Sequence, residues 1–132
     1  SMPKRPSQEA ADFGLASSVD GDVVMVMFSG RSSEKNAQAM ITRYFELVRA
    51  SGRKKVLADI RQLQGRLSTG ETVLLVHRLP PQSLPAEFRT AIVESEKQRE
   101  YAKFLEDVLV NAGARVRCVS DREEALAWLR AA

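Results

Sequence analysis

Cysteine and histidine are nearly missing: the 132 residues contain one of each, Cys118 and His77. A lone cysteine excludes an intramolecular disulfide. One Cys and one His also fall short of the three or four nitrogen or sulfur ligands that tetrahedral zinc takes. Cys118 stands in the apolar run from Val116 to Val119, where a small buried thiol is the ordinary reading. Aromatic residues are only 6% of the chain and fall mostly at core-like spacings, so no platform for stacking bases is expected. Charge of one sign is scarce too, since 20 Lys+Arg against 17 Asp+Glu leave +3. The one basic cluster, Arg53-Lys54-Lys55, reads as a solvated turn, and no nucleic-acid partner is expected. No apolar run approaches the ~18–20 residues that cross a bilayer, so no transmembrane segment is expected. Nor does the sequence open with the pattern of a secretory signal, which makes the cytoplasm the expected location.

What is present is ordinary for a globular protein, 44% apolar and 28% charged. At this length roughly two-thirds of the unfolded surface can be buried, enough for a core without staples. Residues 1–12 are polar, hold two prolines and show no periodicity, so a flexible tail is expected there, followed by one domain over 13–132.

Phe13–Val19, Asp20-Gly21 and Asp22–Phe28 have the pattern of a hairpin, with Asp-Gly supplying the positive dihedrals of its turn. The second strand, Val23–Phe28, is apolar throughout, as a strand covered on both faces is, and Ser29-Gly30 ends it. Ser33 precedes a helix from Glu34 to Ala50 whose Ala37, Met40, Ile41, Tyr44, Phe45 and Val48 share one face. Gly52 stops it, and a short strand, Lys55–Ile60, follows. Thr72–Val76 has the propensity of a strand. Ser68-x-x-Glu71, however, is a capping box, which predicts a helix ended by Pro80-Pro81. Thr90–Val93 is a strand, Ser95–Ala112 a helix, Arg115–Val119 the last strand and Asp121–Leu129 the last helix. The order β-β-α-β-α-β-α-β-α predicts an α/β fold. Its sheet is mixed, mostly parallel and five-stranded, with helices on both faces. The first strand is expected at an edge, free to pair with a second copy, so a homodimer is one expectation.

In such a sheet the carboxyl ends of the strands, where helix N-termini also point, are the usual place for a site. That edge gathers Ser29–Ser33, Asp59–Ser68, Glu94-Ser95 and Ser120-Asp121. Its longest connection, Arg61–Leu67, leads into Ser68-Thr69-Gly70-Glu71. A hydroxyl at a helix N-terminus is favourably placed to carry a phosphoryl group. The plainer reading of Ser68 is a cap, since the Ser-x-x-Glu/Gln spacing recurs at Ser95/Gln98 and Ser120/Glu123. Asp59 reads as a carboxylate fixing its loop; the alternative, a phosphoryl or cation acceptor of receiver type, lacks the accompanying acids. Arg31 and Arg61 read as solvated side chains or as a pair able to hold an anion or contact a partner across the edge. His77 reads as a packed or surface residue. There is no Ser/His/Asp set in a credible order, no Gly-rich phosphate loop and no carboxylate pair flanking a cleft. Asp20-Gly21-Asp22 lacks the other ligands of a calcium loop. Neither an enzyme nor a cofactor or metal is expected.

The element order, the Asp-Gly hairpin, Val56-Leu57-Ala58-Asp59-Ile60-Arg61 and the ending Asp121-Arg122-Glu123-Glu124-Ala125-Leu126-Ala127-Trp128-Leu129 resemble the SpoIIAA-like family. That family is a branch of the STAS domains named for anti-anti-sigma factors, and the resemblance covers residues 13–130. It implies a regulatory module that binds a protein partner, with a serine at the start of the helix after the third strand phosphorylated by a kinase. Ser68 or Thr69 takes that place, with Leu67 where an acidic residue usually precedes the acceptor. The branch is also similar to lipid-binding Sec14-type domains, which implies a small apolar or lipid-like ligand. Its pocket would be walled by Val73, Val76 and Leu79 of the helix and by Leu84 and Phe88 of the following loop.

Overall fold

A computed structural model describes residues 12–79 and 87–131. The expected tail, apart from Asp12, lies outside those residues, as do the Pro80–Pro85 loop and Leu84. Strands β1 (Phe13–Asp20) and β2 (Val23–Arg31) form the antiparallel hairpin. Asp20 pairs with Val23, so the two turn residues are Gly21 and Asp22, one place later than the sequence suggested. Only Gly21 has a positive φ, 59°. Glycine at the first turn position alone is the pattern of a type II′ turn, which suits the twist of the flanking strands.

Helix α1 (Glu34–Ser51) opens on a capping box, with Ser33 Oγ accepting from the Asn36 N–H and Asn36 Oδ1 accepting from the Ser33 N–H. It closes on Gly52 in the left-handed conformation, φ 69°. Strand β3 (Lys55–Gln64) follows, then α2 (Thr69–Arg78), β4 (Arg89–Val93), a 3-10 turn at Glu96–Gln98 running into α3 (Arg99–Asn111), β5 (Arg115–Val119) and α4 (Arg122–Arg130). The strands lie in the order β1-β2-β3-β4-β5, parallel from β2 onward.

Two expectations are corrected. Strand β2 does not end at Ser29-Gly30 and β3 does not end at Ile60. Both continue, paired to Arg31 and Gln64 across an irregularity that gives β3 one extra residue. Strand β4 pairs with β3 only over Lys55–Asp59, so the polar end of β3 is held by β2 alone. The other correction concerns helix starts. Ser95 makes no side-chain cap bond, and α4 is capped by Asp121, whose carboxylate accepts from the Glu124 N–H at 2.8 Å.

Alternation along the strands divides the core. Val24, Val26, Phe28, Val56, Ala58, Ile60 and Ile92 face α1, α2 and α3. Among the described residues, Val23, Leu57, Ala91, Val93 and Val119 face α4 alone, through Ala125 and Leu129. Leu129 is fully buried, worth roughly 1.5–3 kcal/mol of apolar burial. Arg89 pins this helix: its guanidinium lies 3.7 Å from the centre of the Trp128 ring and donates to the Trp128 carbonyl at 2.8 and 3.2 Å. One helix cannot cover a five-stranded face, and over β1 and β2 it leaves Met27 exposed.

Candidate functional site

The carboxyl edge of the sheet is organised by a residue pair that motif reading does not single out, Arg66 and Glu94. Glu94 follows the last residue of β4 and its side chain is 0% exposed; Arg66, in the connection from β3 to α2, is 9% exposed. Arg66 Nε and Nη2 donate to Glu94 Oε2 and Oε1 at 2.8 and 2.9 Å. Its remaining N–H groups reach the carbonyls of Leu63 (2.7 Å), Gly65 (2.8 Å) and Ile60 (3.1 Å). All the donors a guanidinium owns are thereby used. Glu94 Oε1 also accepts from the Ser95 N–H at 2.8 Å. The carbonyls of Ile60 and Leu63 lie in β3 beyond its pairing with β4, and that of Gly65 lies just after the strand. Arg66 serves them and fixes the short path into α2.

That path delivers Ser68 to the start of α2. Ser68 is exposed and is the N-cap: its Oγ accepts from the Glu71 N–H at 3.2 Å and its N–H donates to Glu71 Oε1 at 2.8 Å. The Ser68 N–H, followed by its hydroxyl, holds the Glu71 carboxyl below its ordinary range. Thr69 beside it is exposed, and no atom crowds Gly70. Backbone donors of the helix start, two exposed hydroxyls and two acidic side chains, Glu71 and the neighbouring Glu34 of α1, therefore meet solvent together.

Asp59 and Arg61 stand elsewhere. Asp59 alternates with Ala58 and Ile60 and so points to the α4 side of the sheet, where it is buried. Arg61 forks onto it, Nε to Oδ1 at 3.0 Å and Nη2 to Oδ2 at 2.8 Å, and the Arg61 N–H also donates to Oδ1. The Asp59 hydrogen bonds hold the Arg61 guanidinium more firmly protonated than usual, with Asp121 adding to them. Arg31 is exposed at the end of β2; its N–H donates to the Asp12 carbonyl, and its own carbonyl accepts from Asn36 Nδ2. The structure brings Asp59 and Arg61 together and sets them across the sheet from Ser68 and Thr69.

His77 is exposed in the last turn of α2. Cys118 is half-buried on β5, and burial, reinforced by Glu106 and Glu94, pushes its thiol up to about 12. Among the described residues no group of three or more His, Cys, Asp or Glu is placed to hold a metal ion. Among them, too, no helix is long and apolar enough to cross a membrane.

Between the sheet and helices α1, α2 and α3 lies an apolar cavity of about 180 Å³. Val76, Leu79 and Phe88 line it as the sequence suggested, with Met40, Tyr44 and Leu105 from the other helices. Val73 is not among its lining residues, and Leu84 lies outside the described residues. Helix phase explains the first point, since Thr72, Leu75, Val76 and Leu79 share the inward face of α2 and Val73 is turned aside.

No protein-family profile matches the sequence, and no curated protein matches it significantly. Solved structures do match in three dimensions. An anti-sigma factor antagonist from Mycobacterium paratuberculosis superposes with a TM-score of 0.61 at 14% identity, over 89% of this chain and 94% of that one. A protein of the DUF3478 family from Shewanella loihica, described as having a SpoIIAA-like fold, superposes with a TM-score of 0.55 at 19% identity, over 89% and 93%. Both agree with a mixed five-stranded sheet packed by helices on its two faces. The chain has a SpoIIAA-like fold.

Proposed function

We propose that this chain is a non-enzymatic regulatory domain of STAS type, working in the cytoplasm by contact with a protein partner at the start of α2. The observation that carries the reading is the exposed Ser68-Thr69 pair at the N-terminus of the helix after β3, held in register by Arg66 and Glu94. A phosphoryl group on Ser68 would add about −1.5 to −2 charge beside the Glu71 carboxylate. Like-charge repulsion would drive Glu71 off the Ser68 N–H, and the free backbone donors of the helix start would turn to the phosphoryl oxygens. The surface offered to a partner thereby changes without a change of fold. The test compares partner capture from the source cells by the wild-type chain, Ser68→Asp and Ser68→Ala. The reading expects Ser68→Asp to change the captured amount of a specific partner, with Ser68→Ala close to wild type. Equal capture by all three removes the switch, and residue-dependent turnover of a substrate removes the non-enzymatic reading.

A second reading, a carrier or sensor of a small apolar ligand, is favoured by the 180 Å³ cavity, because close-packed interiors hold few voids larger than a water molecule. Native mass spectrometry of gently purified protein tests it by the presence of a co-purifying adduct; a clean unliganded mass under several conditions counts against it.

A further inference from the structure

The chain protects one edge of its sheet and leaves the other open. Strand β5, at one edge, has five residues, two of them arginines, Arg115 and Arg117, and the Cys118 N–H is taken by Glu106 Oε1 at 2.6 Å. Short length, charge and a covering side chain are devices that stop an edge from recruiting another strand. Strand β1, at the other edge, has eight residues in unbroken register, holds no proline and carries a single charge, Asp20, at its end. Its pairing with β2 fixes which way each backbone group points. Asp20 and Val23 close the two-residue turn, and the Asp12 carbonyl accepts from the Arg31 N–H, so the even-numbered residues of β1 bond to β2. The N–H and C=O groups of Phe13, Leu15, Ser17 and Val19 therefore point outward, and among the described residues no hydrogen bond is made to them. Val19 pairs with Val24 and so lies on the α1 side of the sheet, yet it is 49% exposed.

A second copy of the chain fits this edge, because the strand is complementary to itself. We propose that two copies join through β1, antiparallel about a two-fold axis at Ser17, so that their sheets become one. Ser17 then opposes Ser17 of the second copy, Leu15 opposes its Val19, and Val19 opposes its Leu15. Each of these pairs exchanges two backbone hydrogen bonds. Leu15 and Val19 point to the same face of the sheet, so each exposed Val19 gains an apolar cross-strand neighbour. Asp20 meets Gly14 of the second copy rather than a charge. Asp22, which would next approach Asp12 of the second copy, is already paired with Lys55 at 2.9 Å. Moving the axis to Ala16 instead sets Asp20 directly against Asp12, and like charges placed opposite each other destabilise a sheet.

Sedimentation velocity of the full chain, from micromolar to millimolar concentration, tests this. The expected result for the wild type is a monomer–dimer equilibrium that shifts with concentration. Ser17→Pro deletes an outward N–H and keeps the bonds to β2; because Ser17 pairs with itself, both hydrogen bonds of the axial pair are lost. Val19→Lys places a charge where the apolar pair forms. Each should weaken dimerisation by about tenfold or more, with thermal melts showing the variants folded. Should Ser17→Pro fail to fold, Val19→Lys, at an exposed position, carries the test alone. Ser17→Cys in a Cys118→Ala background should give a disulfide-linked dimer under mild oxidation, and Val19→Cys in the same background much less, since Val19 opposes Leu15 and not itself. A wild type that stays monomeric throughout overturns the proposal, and so does a dimer that the folded variants leave as stable as before. Cross-linking through Val19→Cys in preference to Ser17→Cys overturns the axis at Ser17.

Discussion

Replacing Glu94 by Gln keeps the volume and most of the hydrogen-bonding shape of the side chain but removes its charge. In the native chain that charge is fully enclosed and faces a guanidinium that is 9% exposed, through two contacts of 2.8 and 2.9 Å. The substitution leaves Arg66 as an uncompensated cation on the edge of the core. Breaking one side of a buried pair costs about 3–5 kcal/mol, several times what a surface pair contributes. Set against the ~5–15 kcal/mol that holds a small domain together, this is a large loss. For a chain of this length it corresponds to a fall in Tm on the order of 10–20 °C. Urea unfolding at neutral pH measures it directly, with Arg66→Met and the double variant Arg66→Met/Glu94→Leu completing a cycle. The double variant should recover most of the loss, because removing both charges removes the stranded one. A loss below about 1 kcal/mol for Glu94→Gln, or a double variant no better than the worse single one, would refute the claim that this pair organises the edge.

The remaining expectations concern caps, glycines and buried ionisable groups. Ser68→Ala should lose about 1 kcal/mol in urea unfolding and Ser95→Ala close to nothing, since only Ser68 caps its helix; equal losses would contradict the cap assignment. Gly30→Ala should cost more than about 2 kcal/mol, because Gly30 has φ 90° and a methyl there meets the Asp12 carbonyl oxygen and Phe13 Cα. Gly70→Ala, in helix with nothing within 4 Å, should instead stabilise by about 0.5 kcal/mol. Burial raises the Cys118 thiol to about 12, against ~8.5 for a free one. The folded chain keeps its proton where the unfolded chain gives it up, so the stability it contributes is full below about pH 8.5 and is lost as pH rises toward 12. Tyr44 and Tyr101, raised mainly by burial, act in the same direction. Melts between pH 8 and 11 should show falling Tm, with a smaller fall in Cys118→Ala. Iodoacetamide at pH 8 should alkylate Cys118 on the order of a thousandfold more slowly in the folded chain than in urea.

Much of the fold was legible because local and long-range signals agreed. Ser33 and Gly52 bracket α1, and the capping box at Ser68/Glu71 outweighed the strand propensity of Thr72–Val76. The same box motif misled at Ser95 and Ser120. There a 3-10 turn and the stronger Asp121 cap took over, which spacing alone does not reveal. The end of β3 was illegible for a different reason. Arg61-Gln62-Leu63-Gln64 pairs with β2 alone beyond the end of β4, so nothing requires it to be apolar. At the candidate site, Ser68 and Thr69 could be named from the helix start. The Arg66–Glu94 pair spans 28 residues and reads in sequence as a loop arginine and a strand-end glutamate. Its one signal is a carboxylate directly after an apolar strand, a place where charge survives only with a partner.

Hydrogen–deuterium exchange on the chain with its captured partner tests the central claim most directly. The account predicts that binding slows exchange over residues 65–72, at the path into α2 and its first turn, and that Ser68→Asp alters this protection. Protection confined to α4 and β5, with residues 65–72 exchanging as in the free chain, would contradict it.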